Sequence, residues 1–173
     1  MARIAVDMDE VIADFNRKFI KSFNTHFGMS ITLNELQGLS AQKRWPELAR
    51  DIDVMIGEAD FFSDLPVMEG SQDVLRHMTQ KHEIFITTAA MEFPLSFNAK
   101  FEWLRQNFPF ISPMNIVFCG SKSILNADYL IDDNSRHFET FHGEGILFTA
   151  PHNIFVKGYR RVRTWQEVAE LFL

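Results

Sequence analysis

The stretch Arg3-Ile-Ala-Val-Asp-Met-Asp9 joins a short apolar run to two carboxylates. The run Ile4–Val6 is continuous rather than alternating, which is typical of a strand buried on both faces of a parallel sheet. Residues that follow such a strand lie at the carboxyl edge of the sheet, where ligands bind in open α/β folds. We therefore predict a strand that ends at Asp7 and brings Asp7 and Asp9 to a ligand site.

Four more apolar runs follow along the chain, and helical patterns separate them. The runs are Glu83–Thr87, Asn115–Cys119, Tyr129–Ile131 and Gly145–Thr149, and we expect the last of these to be the final strand. Between them, apolar residues recur at intervals of three and four, which indicates helices. Strands that alternate with helices predict an α/β fold with a Rossmann-like parallel sheet and helices on both faces.

The segment between the first and second strands has only helical periodicity. Its apolar residues recur at helical spacing from Phe15 to Phe27 and again from Trp45 to Ala59. We predict a small helical cap, residues 15–65, inserted into a core formed by residues 1–14 and 66–173. Such a cap would lie over the carboxyl ends of the strands. Trp45 is interpreted as part of the cap core, with base stacking as the alternative.

Composition and charge exclude several classes of function. The chain has 173 residues with 17 Lys and Arg against 23 Asp and Glu, so its net charge is −6. An acidic chain lacks the broad basic surface that nucleic-acid polymers require. A single cysteine, Cys119, forbids an internal disulfide, and no apolar run is long enough for a membrane span. We expect a cytoplasmic protein with a small-molecule substrate and neither a nucleic-acid nor a membrane partner; a homodimer stays open.

Charged or hydroxyl side chains follow nearly every predicted strand. In a parallel sheet these ends share one edge, so groups far apart in sequence converge there. A shift of one residue would exchange Thr88 with Thr87. The converging set is Asp7, Asp9, Thr88, Lys122, Asp132 and Asp133.

This set of residues predicts metal-assisted phosphate chemistry. Clustered carboxylates repel one another and need a cation, and hard oxygen ligands favour Mg²⁺. A lysine and a threonine hydroxyl beside such a metal can hold a phosphoryl group. One carboxylate can then attack phosphorus while another transfers protons.

The other motifs in the sequence give weaker evidence of function. The six histidines show no metal-ligand spacing, and the chain has neither a P-loop nor a dinucleotide fingerprint. A basic run near the end is interpreted as solvated surface, with attraction of phosphate as the alternative. That run consists of Lys157, Arg160, Arg161 and Arg163.

The ordered motifs resemble the haloacid dehalogenase-like phosphohydrolases, and in more detail the 5′(3′)-deoxyribonucleotidases. The resemblance rests on Asp7–Phe15, Phe85–Thr88, Lys122 with Ala127–Asp133, and Leu147–Asn153. It covers most of the core, whereas the cap matches only in position and helical character.

The resemblance implies a role for each matching residue. Asp7 would be the nucleophile and a magnesium ligand, and Asp9 the general acid/base that offers magnesium its backbone carbonyl. Thr88 and Lys122 would hold the phosphoryl group. Asp133 would be the third protein ligand, with Asp132 supporting the site or sharing the metal. Phe15 and Ala89 are also assigned to the substrate, Phe15 as a wall of a nucleoside pocket.

The chain departs from the family pattern after the second strand. Ala89 stands where relatives often have serine, Glu92 or a neighbour replaces a lysine, and Asn134 replaces a basic residue. The implied activity is magnesium-dependent hydrolysis of nucleoside monophosphates through an aspartyl-phosphate. The alternative within the same enzyme class is another phosphorylated metabolite, such as a sugar phosphate. A signalling receiver domain is a rival from another class, but its phosphorylated aspartate would follow the third strand.

Overall fold

The computed structural model describes residues 1–173 and contains one six-stranded, fully parallel sheet. The spatial order of the strands is β3-β2-β1-β4-β5-β6, so β1 and β4 are central. Parallel strands need crossover connections. α-Helices lie in the two connections that leave the first two strands, and the other three connections are loops with short 3₁₀ turns. The strands are β1 Arg3–Asp7, β2 Glu83–Thr88, β3 Ile116–Phe118, β4 Tyr129–Asp132, β5 Glu144–Phe148 and β6 Arg160–Val162.

Six α-helices accompany the sheet, which confirms the predicted α/β class. None of them is both long enough and apolar enough to cross a lipid bilayer. Short 3₁₀ turns follow most of the strands. The helices are α1 Phe15–Phe27, α2 Ala41–Arg44, α3 Ala49–Gly57, α4 Ser71–Met78, α5 Phe97–Asn107 and α6 Trp165–Phe172.

The segment from 15 to 65 contains α1, α2 and α3 and no strand. Asp14 caps α1 by accepting a hydrogen bond from the Arg17 amide at 3.0 Å, and Gly28 ends the helix in a left-handed conformation with φ 63°. The phenylalanines of α1 at intervals of four stack along one face, and Trp45 packs on Phe23 with ring centroids 4.9 Å apart. Trp45 therefore belongs to the core of this segment.

The helical segment leaves and rejoins the sheet region at neighbouring points. The Asp14 amide donates to the Pro66 carbonyl at 2.8 Å, and the Met68 amide donates to the Ile12 carbonyl at 2.8 Å. These bonds support our proposal that a cap is inserted at residues 15–65. Two tryptophans tie the parts further: Trp103 donates to the Leu65 carbonyl and Trp165 to the Val11 carbonyl, each at 2.7 Å.

The predicted strand at residues 145–149 is present as β5, but the prediction that it is the last strand is wrong. β6 follows β5 and pairs with it in parallel, with Arg161 opposite Leu147. This strand is three residues long, contains two arginines and has a neighbour on one side only, so it lacks the apolar run of a buried strand. Lys157, Arg160 and Arg163 of the basic run are exposed, as the solvated-surface interpretation expects, whereas Arg161 is partly buried on this edge strand.

Candidate active site

The carboxyl ends of the central strands meet at one cavity of about 330 Å³. Asp7, Thr88 and Asp132 are the last residues of β1, β2 and β4, and all three line this cavity. Asp9, Ala89 and Asp133 lie on the loops that follow and line it too. The helical segment forms the opposite wall, with Phe15, Phe19, Ile56 and Phe62. The cavity thus combines carboxylates at the strand ends with several apolar and aromatic side chains from the helical segment.

Three carboxylates form a compact group at the base of the cavity. Asp7, Asp132 and Asp133 each offer an oxygen, and these oxygens lie within 4.8 Å of one another. Carboxylate oxygens at this separation are the donors that Mg²⁺ takes from proteins, together with substrate oxygens and water. The donor set therefore fits the cation that the sequence predicts.

Lys122 lies beneath this group rather than in the cavity. Its side chain is 1% exposed, and its ammonium contacts Asp7 and, at 2.5 Å, Asp132 Oδ2. The two carboxylates outweigh the effect of burial and hold the pKa of Lys122 above its ordinary value. In this position Lys122 neutralises and orients the acidic side chains from below.

The two adjacent aspartates of the β4 end differ in the number of hydrogen bonds they accept. Both oxygens of Asp132 are used, one by Lys122 and one by the Asn134 amide at 2.8 Å. The Asp133 carboxylate is 14% exposed, and the imidazole of His152, whose pKa burial lowers, has its Nε2 3.5 Å from Asp133 Oδ2. Asp133 is therefore freer to ligate a metal, and Asp132 is held as a support.

Burial dominates the electrostatics of the acidic group. It raises the pKa of Asp7 to about 7, with Lys122 opposing the shift and Asp132 and Asp9 adding to it. Burial also raises the pKa of Asp133 well above its usual range. A divalent cation would reverse both shifts, because it favours the ionised forms.

Thr88, and not Thr87, faces the cavity. Thr88 Oγ1 accepts a hydrogen bond from Lys100 Nζ at 3.1 Å, so the hydroxyl hydrogen is left to donate to a ligand. Thr87 points to the other side of β2 and lies 3.5 Å from the Val6 carbonyl. Alternate residues of a strand point to opposite faces, so the two threonines cannot both line the cavity, and Thr88 is the one that does.

Lys100 is a cavity residue that the sequence interpretation missed. It extends from α5, is 2% exposed, and contacts Asp9 Oδ2 at 2.5 Å. Its ammonium also lies 4.3 Å from the centre of the Phe62 ring, a cation–π contact with the helical segment. The available signal was its position three residues after Phe97 and four before Leu104, on the apolar face of a helix.

Lys100 brings an ammonium to the cavity, although the residues next to Glu92 in the sequence include no lysine. Glu92 itself lies at the cavity rim and forms an exposed ion pair with Arg136. Asp9 retains one buried oxygen, Oδ1, that has no hydrogen-bond partner. An unpartnered carboxylate oxygen is costly unless a ligand supplies a donor or a proton.

Comparison with known proteins now identifies the family. A family model described as 5′ nucleotidase, deoxy (pyrimidine), cytosolic type C matches residues 1–173. The chain belongs to this family. Members of this nucleotidase family are phosphomonoester hydrolases, which confirms the prediction of an enzyme of that class.

Individual relatives agree with the family assignment. A 5′(3′)-deoxyribonucleotidase of Bacillus subtilis strain 168 is 36% identical over 173 residues, covering 98% of each chain. A protein of Staphylococcus aureus strain Mu50 is 43% identical over 170 residues, 98% of this chain and 94% of that protein. The Staphylococcus protein carries the same enzyme name with a provisional qualifier.

Solved structures share the fold of this nucleotidase-family chain at low sequence identity. A haloacid dehalogenase-like hydrolase from Streptococcus pneumoniae superimposes with a TM-score of 0.67 at 10% identity, covering 100% of this chain and 99% of that one. The HAD-hydrolase YfnB of Bacillus subtilis, solved bound to magnesium, gives a TM-score of 0.60 at 12% identity, covering 99% and 98%. These likenesses confirm the haloacid dehalogenase-like fold.

Proposed function

We propose that this nucleotidase-family protein is a magnesium-dependent phosphatase that hydrolyses the phosphate monoester of (deoxy)nucleoside monophosphates. The observation that carries this proposal is the cluster of Asp7, Asp132 and Asp133, with oxygens within 4.8 Å, at the base of a cavity with aromatic walls. The names of the curated relatives support the substrate class. Cytoplasmic localisation and a homodimer stay predictions from the sequence.

We assign the cation to Asp7, Asp133 and the backbone carbonyl of Asp9, with Asp132 as a support already bound to Lys122. When bound, Mg²⁺ neutralises negative charge on the carboxylates and on the phosphoryl oxygens. Thr88 donates its free hydroxyl hydrogen to the phosphoryl group. Lys100 adds a positive charge on the cavity side of Asp9, whereas Lys122 acts from beneath Asp7.

The chemistry follows from the roles of Asp7 and Asp9. A carboxylate oxygen of Asp7 attacks phosphorus, and the bond from phosphorus to the ester oxygen breaks as Asp9 gives that oxygen a proton. This leaves an aspartyl-phosphate on Asp7 and releases the nucleoside. Asp9 then takes a proton from a water molecule that attacks phosphorus, the bond to Asp7 breaks, and inorganic phosphate leaves. Lys100 holds one oxygen of Asp9, so the free Oδ1 is the one that handles the proton.

A phosphate-release panel tests the proposal. We expect deoxynucleoside and ribonucleoside 5′- and 3′-monophosphates to release phosphate with Mg²⁺, and EDTA to abolish the release until Mg²⁺ is added back in excess. Ca²⁺, which binds carboxylates with looser geometry, is the matched control for the cation. Sugar phosphates outpacing every nucleotide would favour the alternative substrate class. Turnover that survives EDTA would overturn the assignment of the metal.

Lys100→Met tests the positioning of Asp9. Removing the ammonium leaves a carboxylate without its partner beside the reacting phosphate, and we expect kcat to fall by about 10²-fold or more. Circular dichroism and thermal unfolding report whether the fold is retained. Glu102→Gln on the solvent side of the same helix is the control and should keep wild-type kcat. A Lys100→Met enzyme within threefold of wild type would contradict the role.

A further inference from the structure

Arg161 on the edge strand β6 is held by hydrogen bonds instead of facing solvent or a carboxylate. Its guanidinium donates to Thr149 Oγ1 at 3.2 Å, to Asn153 Oδ1 at 2.8 Å, and to the carbonyls of Asn153 at 3.0 Å and Val156 at 2.7 Å. The acceptors all lie on the loop after β5. A planar guanidinium suits such a fixed fork of acceptors better than an ammonium does. Arg161 therefore organises the loop 149–156.

The same loop reaches the metal-binding side of the cavity through Asn153. This side chain is 2% exposed and satisfies its whole hydrogen-bonding capacity. Its Oδ1 accepts from Arg161 and from the Ala150 amide at 3.2 Å, while its Nδ2 donates to the carbonyls of Asp133 at 2.7 Å and Phe148 at 2.8 Å. Because a guanidinium has only donors, Arg161 forces the amide oxygen toward itself and the amide NH₂ toward Asp133.

The backbone of Asp133 is thus fixed by two side chains of one loop. His152 Nε2 lies 3.1 Å from the same Asp133 carbonyl that Asn153 holds. Asp133, which follows the last residue of β4, forms no backbone–backbone hydrogen bond, so these side chains are what hold its carbonyl. Outer partners of this kind restrict a ligand to the orientation that a metal requires.

We propose that Arg161 is a positioning residue for the cation ligand Asp133 and acts through the amide of Asn153. The inference rests on the proposed function, since it needs the cation at Asp133. Without Arg161, the Asn153 amide oxygen keeps only its longer contact with the Ala150 amide, so its orientation is less firmly fixed and Asp133 samples positions that do not ligate. The cation affinity falls while the catalytic groups Asp7 and Asp9 remain in place.

Direct Mn²⁺ binding to the metal-free protein tests the inference without relying on turnover. Titration calorimetry with Mn²⁺ alone should show Arg161→Gln binding about tenfold more weakly than wild type. Arg161→Lys, which keeps the charge but not the fork, should lie between the two. In activity assays the Mg²⁺ concentration for half-maximal rate should rise in parallel, with kcat at saturating Mg²⁺ changed less.

Two neighbours on β6 separate positioning from simple loss of stability. Val162→Ala removes a buried side chain and should lower the melting temperature without changing Mn²⁺ affinity. Arg160→Gln removes a half-exposed partner of Glu144 and should change neither. If Arg161→Gln bound Mn²⁺ with the same affinity as Val162→Ala, the positioning role of Arg161 would be overturned.

A second variant covers the case in which Arg161→Gln does not fold. Asn153→Asp keeps the shape and the contact with Arg161 but replaces the NH₂ donor to Asp133, so it should also bind Mn²⁺ at least about tenfold more weakly. Wild-type affinity in a folded Asn153→Asp protein would overturn the relay. Asp133→Asn serves as the reference for a protein without the cation site. If the wild-type protein bound Mn²⁺ no better than Asp133→Asn, the cation site on which the inference rests would be overturned.

Discussion

Asp7→Asn is expected to abolish phosphate release, with kcat reduced by about 10⁴-fold or more, the scale seen when an enzyme loses its nucleophile. The amide is nearly the same size as the carboxylate but cannot form the bond to phosphorus. It also weakens the three-carboxylate group that fits the cation. Single-turnover phosphate release with a deoxynucleoside monophosphate and saturating Mg²⁺ is the measurement. Turnover within tenfold of wild type would remove Asp7 as the nucleophile.

The same substitution should not destabilise the metal-free protein at pH 8. Burial raises the pKa of Asp7 to about 7 in the folded state, above the value near 4 of the unfolded chain. The ionised carboxylate therefore costs folding free energy, and that cost develops as pH rises from about 4 through about 7. Asparagine removes it, so the melting temperature in EDTA at pH 8 should equal or exceed that of wild type. Asp73→Asn, an exposed position on α4, is the control for both measurements.

Lys122→Met is expected to cause the largest loss of stability among the variants considered. Lys122 is the partner of two buried carboxylates, Asp7 and Asp132, and its removal leaves both without a counter-charge. Breaking a buried ion pair from one side costs about 3–5 kcal/mol. Urea unfolding in EDTA at pH 8 should show this loss. Lys157→Met, at an exposed position, should change the free energy of unfolding by less than about 0.5 kcal/mol.

The loss from Lys122→Met should depend on pH, on the cation and on Asp7. At pH 5 Asp7 is largely protonated, because its pKa is about 7, so the destabilisation should be smaller than at pH 8. Saturating Mg²⁺ should restore part of the stability by replacing the missing positive charge. Combining the change with Asp7→Asn should cost less than the sum of the two separate effects. A loss that is the same at both pH values and in the double variant would contradict the counter-charge role.

The strand ends show how far the sequence predicts the site. Asp7, Thr88 and Asp132 could be placed because each follows an apolar run, and a parallel sheet brings such ends together whatever lies between them. How deeply each side chain is buried at the site could not be predicted in the same way. The prediction that Lys122 holds the phosphoryl group stays a prediction; its side chain is buried against Asp7 and Asp132 and is not among the residues that line the cavity.

Two further residues show what local patterns miss. Lys100 lies on a helix that the apolar spacing of the sequence predicts. Its contact with Asp9, however, depends on how α5 packs against the sheet. The strand containing Arg161 has no apolar run, and only its pairing with β5 reveals it. In both cases the deciding partner is distant in sequence and comes from tertiary packing.

The paired crossings at Ile12–Asp14 and Pro66–Met68 have a consequence for how this architecture can diversify. The helical segment begins and ends at adjacent points of the sheet region. Its helices can therefore change in length, or be replaced by another insertion, without shifting the register of any strand. The carboxylates at the strand ends would keep their positions in such an exchange, while the wall of the cavity that the helices form would change. Phe15 and Asn16, the first residues of the helical segment, line the cavity next to this junction.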